Sequence, residues 1–375
     1  MKAKLLAAGF DLSQGFSKYG DKYIVEYDII LSVEEIDNLS KEKNIVDLFK
    51  KGNDEKLNND IIGSKGKTSH FVGNNLLTIS SSVRTIYIYI PSSFGANIEN
   101  ALDDAISRYN ALDLSLVFSR TTNSGAADIV ISPASSVGYL MYAGFPTNGN
   151  PHNQILVNTA FYNSTSTRAD AATAFAHEIG HCIGFRHTDY MDRTFSCGIE
   201  PDSPNEGSGT RGANHVTGTP TNPSYGGANN SWMLACSDGS DRPFIESDII
   251  SLLEVYPRKK TIYVKNVWDF VSDNGYYDTY NDYEDISWDV TVELYSDAAL
   301  TIPYTTTNYL LLCVYDETEY YHIDSRKLVP IGVSSYHLGI YNRKRNYSYG
   351  TLIADNSSGF QLNGGAGYHG PYPFP

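Results

Sequence analysis

The chain has 375 residues and a formal net charge of −15 at neutral pH. Phosphates of nucleic acids and of anionic membranes repel such an acidic protein, so we expect no nucleic-acid partner. Hydrophobic residues make up 41% of the composition, yet no apolar run reaches the roughly 20 residues of a membrane-spanning helix. The length predicts two domains with room for an additional segment.

Residues 1–75 form an N-terminal segment. Within it, apolar and polar residues alternate over residues 23–31 (YIVEYDIIL) well enough to predict one strand. Ser32 with Glu35 predicts a capping box that begins a short helix. The stretch 51–75 is rich in Lys, Gly and Asn and predicts a loop or linker. The segment is either an ordinary subdomain or a pro-region.

Residues 76–260 predict a domain of mixed strands and helices. Strands are predicted at residues 85–90, 114–118, 128–132, 138–143 and 154–158. Residues 98–112 carry apolar side chains at helical spacing, which predicts an amphipathic helix behind the sheet. Thr167 and Asp170 predict a cap for the helix that follows. This order of elements indicates an α+β fold with a mixed, twisted sheet.

The stretch 177–187 reads HEIGHCIGFRH. His177 and His181 are four residues apart, so on a helix both imidazoles project from one face and can bind one metal ion. Gly184 lies where a left-handed helix end would turn the chain back, which makes His187 the third ligand.

Three imidazoles leave one tetrahedral position of Zn²⁺ open for water, which is typical of a catalytic site. Glu178 lies beside the first ligand and is placed to take a proton from that water. The pattern therefore predicts peptide hydrolysis at a zinc ion.

The complete string HExxHxxGxxH resembles the metzincin signature, and two later features fit the same family. Ser231, Trp232 and Met233 resemble the Ser-x-Met of the metzincin Met-turn. Residues 244–256 predict an amphipathic helix that resembles the terminal helix of metzincin catalytic domains. The HEIGH spelling and the stretch GANHVTGTPTNPSYGGANNSWMLAC resemble the bacterial dual-action HEIGH metallopeptidases.

This resemblance implies a zinc-dependent endopeptidase with a mixed twisted sheet, a backing helix, an active-site helix, a Met-turn and a C-terminal helix. Zn²⁺ is the implied cofactor, and its ligands are His177, His181 and His187. Glu178 is the implied catalytic residue, and Met233 supports the site. An extended polypeptide substrate adds as an antiparallel strand to the exposed edge of the sheet. The edge strand is implied to comprise Gly138, Tyr139, Leu140, Met141 and Tyr142.

Four cysteines allow three complete pairings. In the implied fold, the loops that carry Cys197 and Cys236 come together, which makes these two the disulfide candidates. Cys182 follows a ligand by one residue and is expected to be a buried thiol, since a helix rotates it about 100° away from the metal.

Cys182 is also the first cysteine of the chain, so residues 1–75 cannot silence the enzyme with a thiolate. Any latency must use an oxygen ligand or simple obstruction, and a carboxylate can take the open position of zinc. The alternative is a subdomain that packs on the back of the sheet and never approaches the cleft.

From residue 261 onward the composition changes, because 17 of the 29 tyrosines lie in this last part. Strands are predicted at residues 261–267, 288–295, 309–315, 336–341 and 347–353. Residues 261–375 therefore predict a small all-β sandwich. Exposed tyrosines suit a carbohydrate or protein ligand, although tyrosine also simply fits strands. The alternative function is a surface adhesin or glycan-binding protein with a degenerate metal site.

The first ten residues begin with a basic charge, but their apolar stretch ends at Asp11 and is too short for a signal peptide. Proteases of this kind are more often exported than retained. We therefore expect a secreted or cell-surface protein whose signal or lipoprotein anchor is not part of this sequence.

Overall fold

The structure is a computed structural model, and it describes residues 1–8, 10, 12, 15–26, 28–46, 68–135, 139–165, 167–198, 206, 211–221, 231–258, 260–273, 284–317, 322–345, 351–355 and 367–368. The chain divides into two compact units. The first comprises Met1–Ala111 and Leu116–Ser251, and the second comprises Leu112–Ser115 and Leu252–Pro375. The N-terminal segment therefore lies in the same compact unit as the histidine motif. The domain boundaries 1–75, 76–260 and 261–375 remain predictions.

The first unit contains most of the helices and ten short strands. The helices are α1 Lys2–Ala7, α2 Val33–Val46, α3 Ala96–Asn110, α4 Ala171–Cys182, α5 Thr194–Cys197 and α6 Glu246–Val255, which the boundary between the units divides. The strands are β1 Ser17–Tyr19, β2 Lys22–Val25, β3 Ile29–Leu31, β4 Phe71–Val72, β5 Arg84–Tyr89, β6 Leu116–Arg120, β7 Ile129–Ala134, β8 Met141–Tyr142, β9 Gln154–Asn158 and β10 Asn214–His215.

A five-stranded sheet forms the centre of the first unit, in the order β6-β5-β7-β9-β8. Four strands run parallel, and the edge strand β8 pairs antiparallel with β9. Helix α3 packs on this sheet through its apolar stripe, where the ring centroids of Tyr109 and Phe118 are 5.0 Å apart. The predicted mixed α+β architecture is confirmed.

Residues 23–31 do not form one strand, so that prediction is wrong. They form a hairpin in which β2 and β3 pair antiparallel, with Val25 opposite Ile29 at the turn. Glu26 adopts the left-handed conformation with φ of 49°, which reverses the chain. A hairpin buries both faces of this apolar segment, because Ile24 and Ile30 pack against the central sheet while Val25 and Ile29 pack against α1 and α2.

The hairpin also pairs with the edge of the central sheet. The amide of Ile30 donates to the carbonyl of Ala143 at 2.9 Å, and the amide of Ala143 donates to the carbonyl of Asp28 at 3.1 Å. This pairing is parallel. The hairpin thus occupies the backbone amide and carbonyl of Ala143, the residue that follows β8.

Helix α2 begins immediately after the hairpin with the predicted capping box. The amide of Ser32 donates to the Glu35 carboxylate at 2.7 Å, and the amide of Glu35 donates to the Ser32 hydroxyl at 3.2 Å. This prediction is confirmed, and the box fixes the direction in which the chain leaves the hairpin.

The described part of the second unit consists mainly of strands. They are β11 Tyr263–Asp273, β12 Glu284–Tyr295, β13 Leu310–Glu317, β14 His322–Val329, β15 Ser335–Arg345, β16 Thr351–Asp355 and β17 Gly367–Tyr368. They form a sheet of order β11-β12-β15 and a sheet of order β14-β13-β16-β17. Val290 and Val292 from the first sheet share a hydrophobic cluster with Leu312 and Val314 from the second.

The sandwich arrangement itself remains a prediction. Strand β14 was not predicted from the sequence, because its residues HIDSRKLV are largely polar. Within the described ranges, no helix has the length and apolar character required to span a bilayer.

Candidate metal centre

Helix α4 carries the first two histidines of the motif through the interior of the first unit. Eleven of its twelve residues are buried. The predicted cap is wrong in detail, because Asp170 precedes the helix without capping it. Its carboxylate instead accepts hydrogen bonds from Tyr162 at 3.0 Å and from Arg168 at 2.8 Å.

The chain leaves α4 through a glycine that no other residue could replace without strain. Gly184 has φ of 111°, and a Cβ atom there would lie 2.6 Å from Leu76 Cδ2 and 3.1 Å from the carbonyl oxygen of Asn75. The turn returns the chain toward the helix, so that His187 faces the first two histidines.

The three imidazoles converge through their Nε2 atoms. His187 Nε2 lies 3.2 Å from His177 Nε2 and 3.1 Å from His181 Nε2. A tetrahedral ion with bonds of about 2.0–2.1 Å to nitrogen places its ligand atoms about 3.3 Å apart. The spacing of the imidazoles therefore fits zinc.

Each imidazole is oriented by an acceptor for its other nitrogen. His177 Nδ1 donates to the carbonyl of Trp232 and His181 Nδ1 donates to the carbonyl of Phe185, both at 2.8 Å. His187 Nδ1 pairs with the Glu206 carboxylate. Because these bonds occupy Nδ1, the Nε2 lone pairs are left for a metal ion.

A carboxylate from the N-terminal hairpin lies beside the three imidazoles. Asp28 Oδ2 lies 2.9 Å from His187 Nε2 and 3.7 Å from His177 Nε2. The ligand atoms of Asp28 and the three histidines all lie within 4.8 Å of one another. Three nitrogens and one carboxylate oxygen form a donor set that zinc accepts.

The charges around the cluster shift its pKa values in opposite directions. Burial lowers the pKa of His177 and His181. Burial opposes the charged form of His187 as well, but the carboxylates of Asp28 and Glu206 outweigh it and raise the pKa of His187 to about 10. The same two carboxylates favour a divalent cation, which competes with that proton for Nε2.

Glu178 is buried beside the cluster. Its Oε2 atom makes no hydrogen bond to any part of the chain that the structure describes. Burial and the nearby charge of Asp28 raise its pKa well above the ordinary value. A carboxylate in such surroundings accepts a proton readily near neutral pH.

The turn 231–233 lies directly beneath α4. A Cβ atom on Gly180 would lie 2.5 Å from Met233 Sδ and 3.1 Å from Trp232 Nε1, so the close packing requires glycine. The carbonyl of Met233 also accepts from the amide of Thr188 at 2.8 Å. This turn therefore contacts both the helix and the residue after the third histidine.

The remaining candidate residues occupy separate positions around this core. A disulfide joins Cys197 and Cys236, and Cys182 is a buried free thiol. Met141 and Tyr142 form the edge strand β8, preceded by Tyr139 and Leu140. Gly138 lies outside the described residues.

Sequence reasoning missed a buried cluster of charges beside His187. Glu206 pairs with Arg186 at 3.2 Å, and Glu26 pairs with Arg211 at 2.6 Å. The position of Asp28 beside the histidines was not predicted either. The sequence feature that points to Asp28 and Glu26 is that two acidic residues interrupt the apolar run 23–31. No such feature distinguishes Glu206, because the sequence on either side of it has neither helical nor strand periodicity.

Comparison with known proteins gives a family match that covers the whole histidine stretch, and similarities to solved structures. The sequence matches the family model of the dual-action HEIGH metallopeptidases over residues 54–256, which is more than half of the chain. No relative among curated proteins matches.

Two solved structures illustrate the structural similarity. High choriolytic enzyme 1, a hatching enzyme zinc-protease from the medaka fish Oryzias latipes, is 19% identical with a TM-score of 0.28, over 46% of this chain and 90% of that one. Myroilysin is 12% identical with a TM-score of 0.30, over 48% of this chain and 98% of that one. Such scores carry no argument about the fold, so the assignment rests on the sequence match and on the buried histidine cluster. The chain belongs to the dual-action HEIGH metallopeptidase family and is a zinc metallopeptidase.

Proposed function

We propose that this protein is an endopeptidase that cleaves extended polypeptides, with zinc held by Nε2 of His177, His181 and His187. The observation that carries the proposal is the convergence of three Nε2 atoms whose partner nitrogens are all engaged elsewhere. Bound zinc supplies a Lewis acid that polarises a carbonyl and lowers the pKa of water. The remaining steps belong to side chains of the protein.

Glu178 moves the protons in this proposal. Its buried carboxylate takes a proton from the attacking water and then passes that proton to the nitrogen of the leaving amine. The raised pKa supports this role, because burial and the charge of Asp28 make the Glu178 carboxylate a stronger base than an exposed one.

Met233 is proposed to support the site from below as the methionine of a Met-turn. Its sulfur packs against Gly180, which precedes the second histidine of the helix. The carbonyl of the neighbouring Trp232 orients His177 at the same time. One turn therefore fixes both the position of the helix and the direction of an imidazole.

The substrate is proposed to bind along residues 139–143, at the edge of the central sheet. The hairpin occupies this edge through Ala143, in a parallel direction, whereas we expect a substrate to pair antiparallel. The hairpin also places Asp28 at the fourth position of the cluster. We therefore propose that residues 1–75 hold the enzyme latent by occupying both the edge and the metal.

The test uses the full-length chain loaded with zinc and casein as substrate. Asp28→Ala is expected to raise the digestion rate above that of the wild type, and Glu178→Ala in the same chain is expected to abolish the gain. Asp103→Ala, which removes a half-exposed carboxylate on α3, serves as the matched control. If zinc-loaded Asp28→Ala fails to digest casein, the proposed function is wrong.

The second unit is proposed to bind a carbohydrate or protein ligand. Phe270 stands opposite Trp288 in the paired strands β11 and β12, their ring centroids are 5.8 Å apart, and Phe270 is 55% exposed. Aromatic faces of this kind suit sugar rings and protein surfaces. A screen of glycans and proteins with the full chain and with Phe270→Ser tests this role, which equal binding by both proteins would contradict.

A further inference from the structure

The buried charges beside the metal centre form a pocket whose parts come from two sources. Arg186, Arg193, Arg211 and Glu206 belong to the part of the chain that follows the second histidine, and we refer to these four as the arginine pocket. Glu26, from the tip of the hairpin, lies inside it. Its Oε2 atom is 2.6 Å from Arg211 and 3.6 Å from Arg186.

The arginine pocket is not neutral without its occupant. Glu206 pairs with Arg186 and Arg193, whereas among the described residues the carboxylate within ion-pair distance of Arg211 is that of Glu26, and all of these side chains are buried. Buried charges are costly unless they are paired. When the hairpin leaves, Arg211 therefore loses the carboxylate that pairs with it.

Arg211 is poised for such an anion. Its guanidinium lies 4.4 Å from the ring centroid of Phe145, which is outside the N-terminal segment and holds the plane in place. Its Nε and Nη1 atoms are buried and have no hydrogen-bond partner among the described residues. Burial lowers the pKa of Arg211 to about 10, so the group is still charged at neutral pH.

The pocket is adjacent to the candidate metal centre. Glu206 contacts both Nδ1 of His187 and Arg186, so one carboxylate joins the metal ligand to the pocket wall. Arg193 donates to the backbone carbonyl of Glu26 at 3.2 Å. The pocket thus recognises both an acidic side chain and the peptide backbone that carries it.

We infer that the arginine pocket binds an acidic side chain of the polypeptide substrate, preferably glutamate, next to the bond that is cleaved. In the latent protein, Glu26 occupies the position of that substrate side chain. Glutamate is favoured because Glu26 itself spans the distance to Arg211. This inference rests on the proposed function, since it assigns a substrate class to the same cleft. Hydrogen bonds between charged groups are worth roughly 10- to 100-fold in affinity, so the preference over glutamine is expected to be of that size.

The first experiment tests the pocket without any catalysis. Glu26→Ala in the full chain removes the carboxylate, and sodium acetate is then added to refill the pocket. Its melting temperature is expected to rise with acetate but not with acetamide at equal concentration. Asp103→Ala is the control and should show no difference between the two additives. Equal responses of Glu26→Ala to acetate and acetamide would overturn the pocket as a carboxylate site.

The second experiment tests the substrate class. The zinc-loaded full chain with Asp28→Ala and Glu26→Ala digests a proteome-derived peptide mixture, and mass spectrometry identifies the cleaved bonds. Glutamate is expected to be enriched at one position beside them. Arg211→Gln in the same chain should remove this enrichment, whereas Arg120→Gln, on strand β6, should preserve it.

The two experiments separate the possible failures. Cleavage without acidic enrichment, or enrichment that survives Arg211→Gln, overturns the inference while the proposed function stands. If no bond is cleaved, the proposed function fails, and the response to acetate decides whether the pocket binds carboxylates.

Discussion

The two halves of the metal centre are built in different ways. The three histidines lie within the short stretch 177–187, and each is oriented by a hydrogen bond from its Nδ1 atom. Asp28 comes from a distant hairpin that is held by backbone pairing with Ala143 and by the arginine pocket around Glu26. The histidine half therefore comes from one local stretch of the chain, whereas the hairpin half depends on long-range contacts. Zinc affinity and access to zinc can consequently be changed by different substitutions.

The largest expected effect is on the histidine half. His187→Ala leaves two histidines and should weaken zinc binding by orders of magnitude. Elemental analysis after dialysis measures the loss, and His215→Ala, which changes a histidine outside the cluster, is the control. Full zinc occupancy in the His187→Ala protein would exclude this residue as a ligand.

The next effect concerns chemistry rather than binding. Glu178→Ala, made together with Asp28→Ala, should keep zinc and lower the rate of casein digestion by roughly 10²- to 10⁴-fold, because general acid–base catalysis contributes that much. Glu99→Ala on α3 provides the control. Digestion at the rate of the Asp28→Ala parent would mean that another group moves the proton.

A smaller effect is expected where the two halves meet. Glu206 orients His187 and also pairs with Arg186, so Glu206→Gln should lower zinc affinity by roughly 10- to 100-fold. Competition with a zinc-binding dye measures the affinity of this variant and of the control Glu99→Gln. An affinity equal to that of the wild type would show that the carboxylate does not position the ligand.

The smallest effect concerns the base of the hairpin. Burial opposes ionisation of Glu35, but His152 and Ser32 lower its pKa to about 2 from an ordinary value of 4.5. A lowered pKa stabilises the docked segment above pH 4.5, and this contribution is lost as the pH falls toward 2.

Hydrogen exchange at the hairpin, corrected for intrinsic rates, checks this prediction. Glu35→Gln should exchange faster than wild type at pH 6, and the difference should shrink as the pH falls below 4.5. Glu34→Gln, one residue earlier on α2, is the control. A difference that stays constant from pH 6 to pH 3 would contradict the role of Glu35.

The same contrast explains what the sequence could predict. The spacing of His177, His181 and Gly184 is a local property, so the convergence of the imidazoles follows from helix geometry and one glycine. The hairpin turn was hidden because Glu26, which is not a typical turn residue, takes the left-handed conformation there. Its conformation is decided by contacts with Arg211, far along the chain.

Other misses have similar causes. The cap predicted from Thr167 and Asp170 does not form, because Tyr162 and Arg168 hold the Asp170 carboxylate away from the helix amides. Glu206 has no periodic neighbours that would mark it, and its position depends on pairing with His187 and Arg186. Long-range pairing of charges leaves little trace in a single sequence.

The central claim is that Asp28 occupies the position at the metal that the active enzyme must leave open. Calorimetry of acetohydroxamate binding to the zinc-loaded full chain tests this most directly, because a hydroxamate must reach the metal and needs no turnover. We expect Asp28→Ala to bind acetohydroxamate at least about 10-fold more tightly than wild type, since the compound no longer competes with a charged ligand, while Asp103→Ala binds as wild type does. Equal affinities of the wild type and Asp28→Ala would contradict the claim.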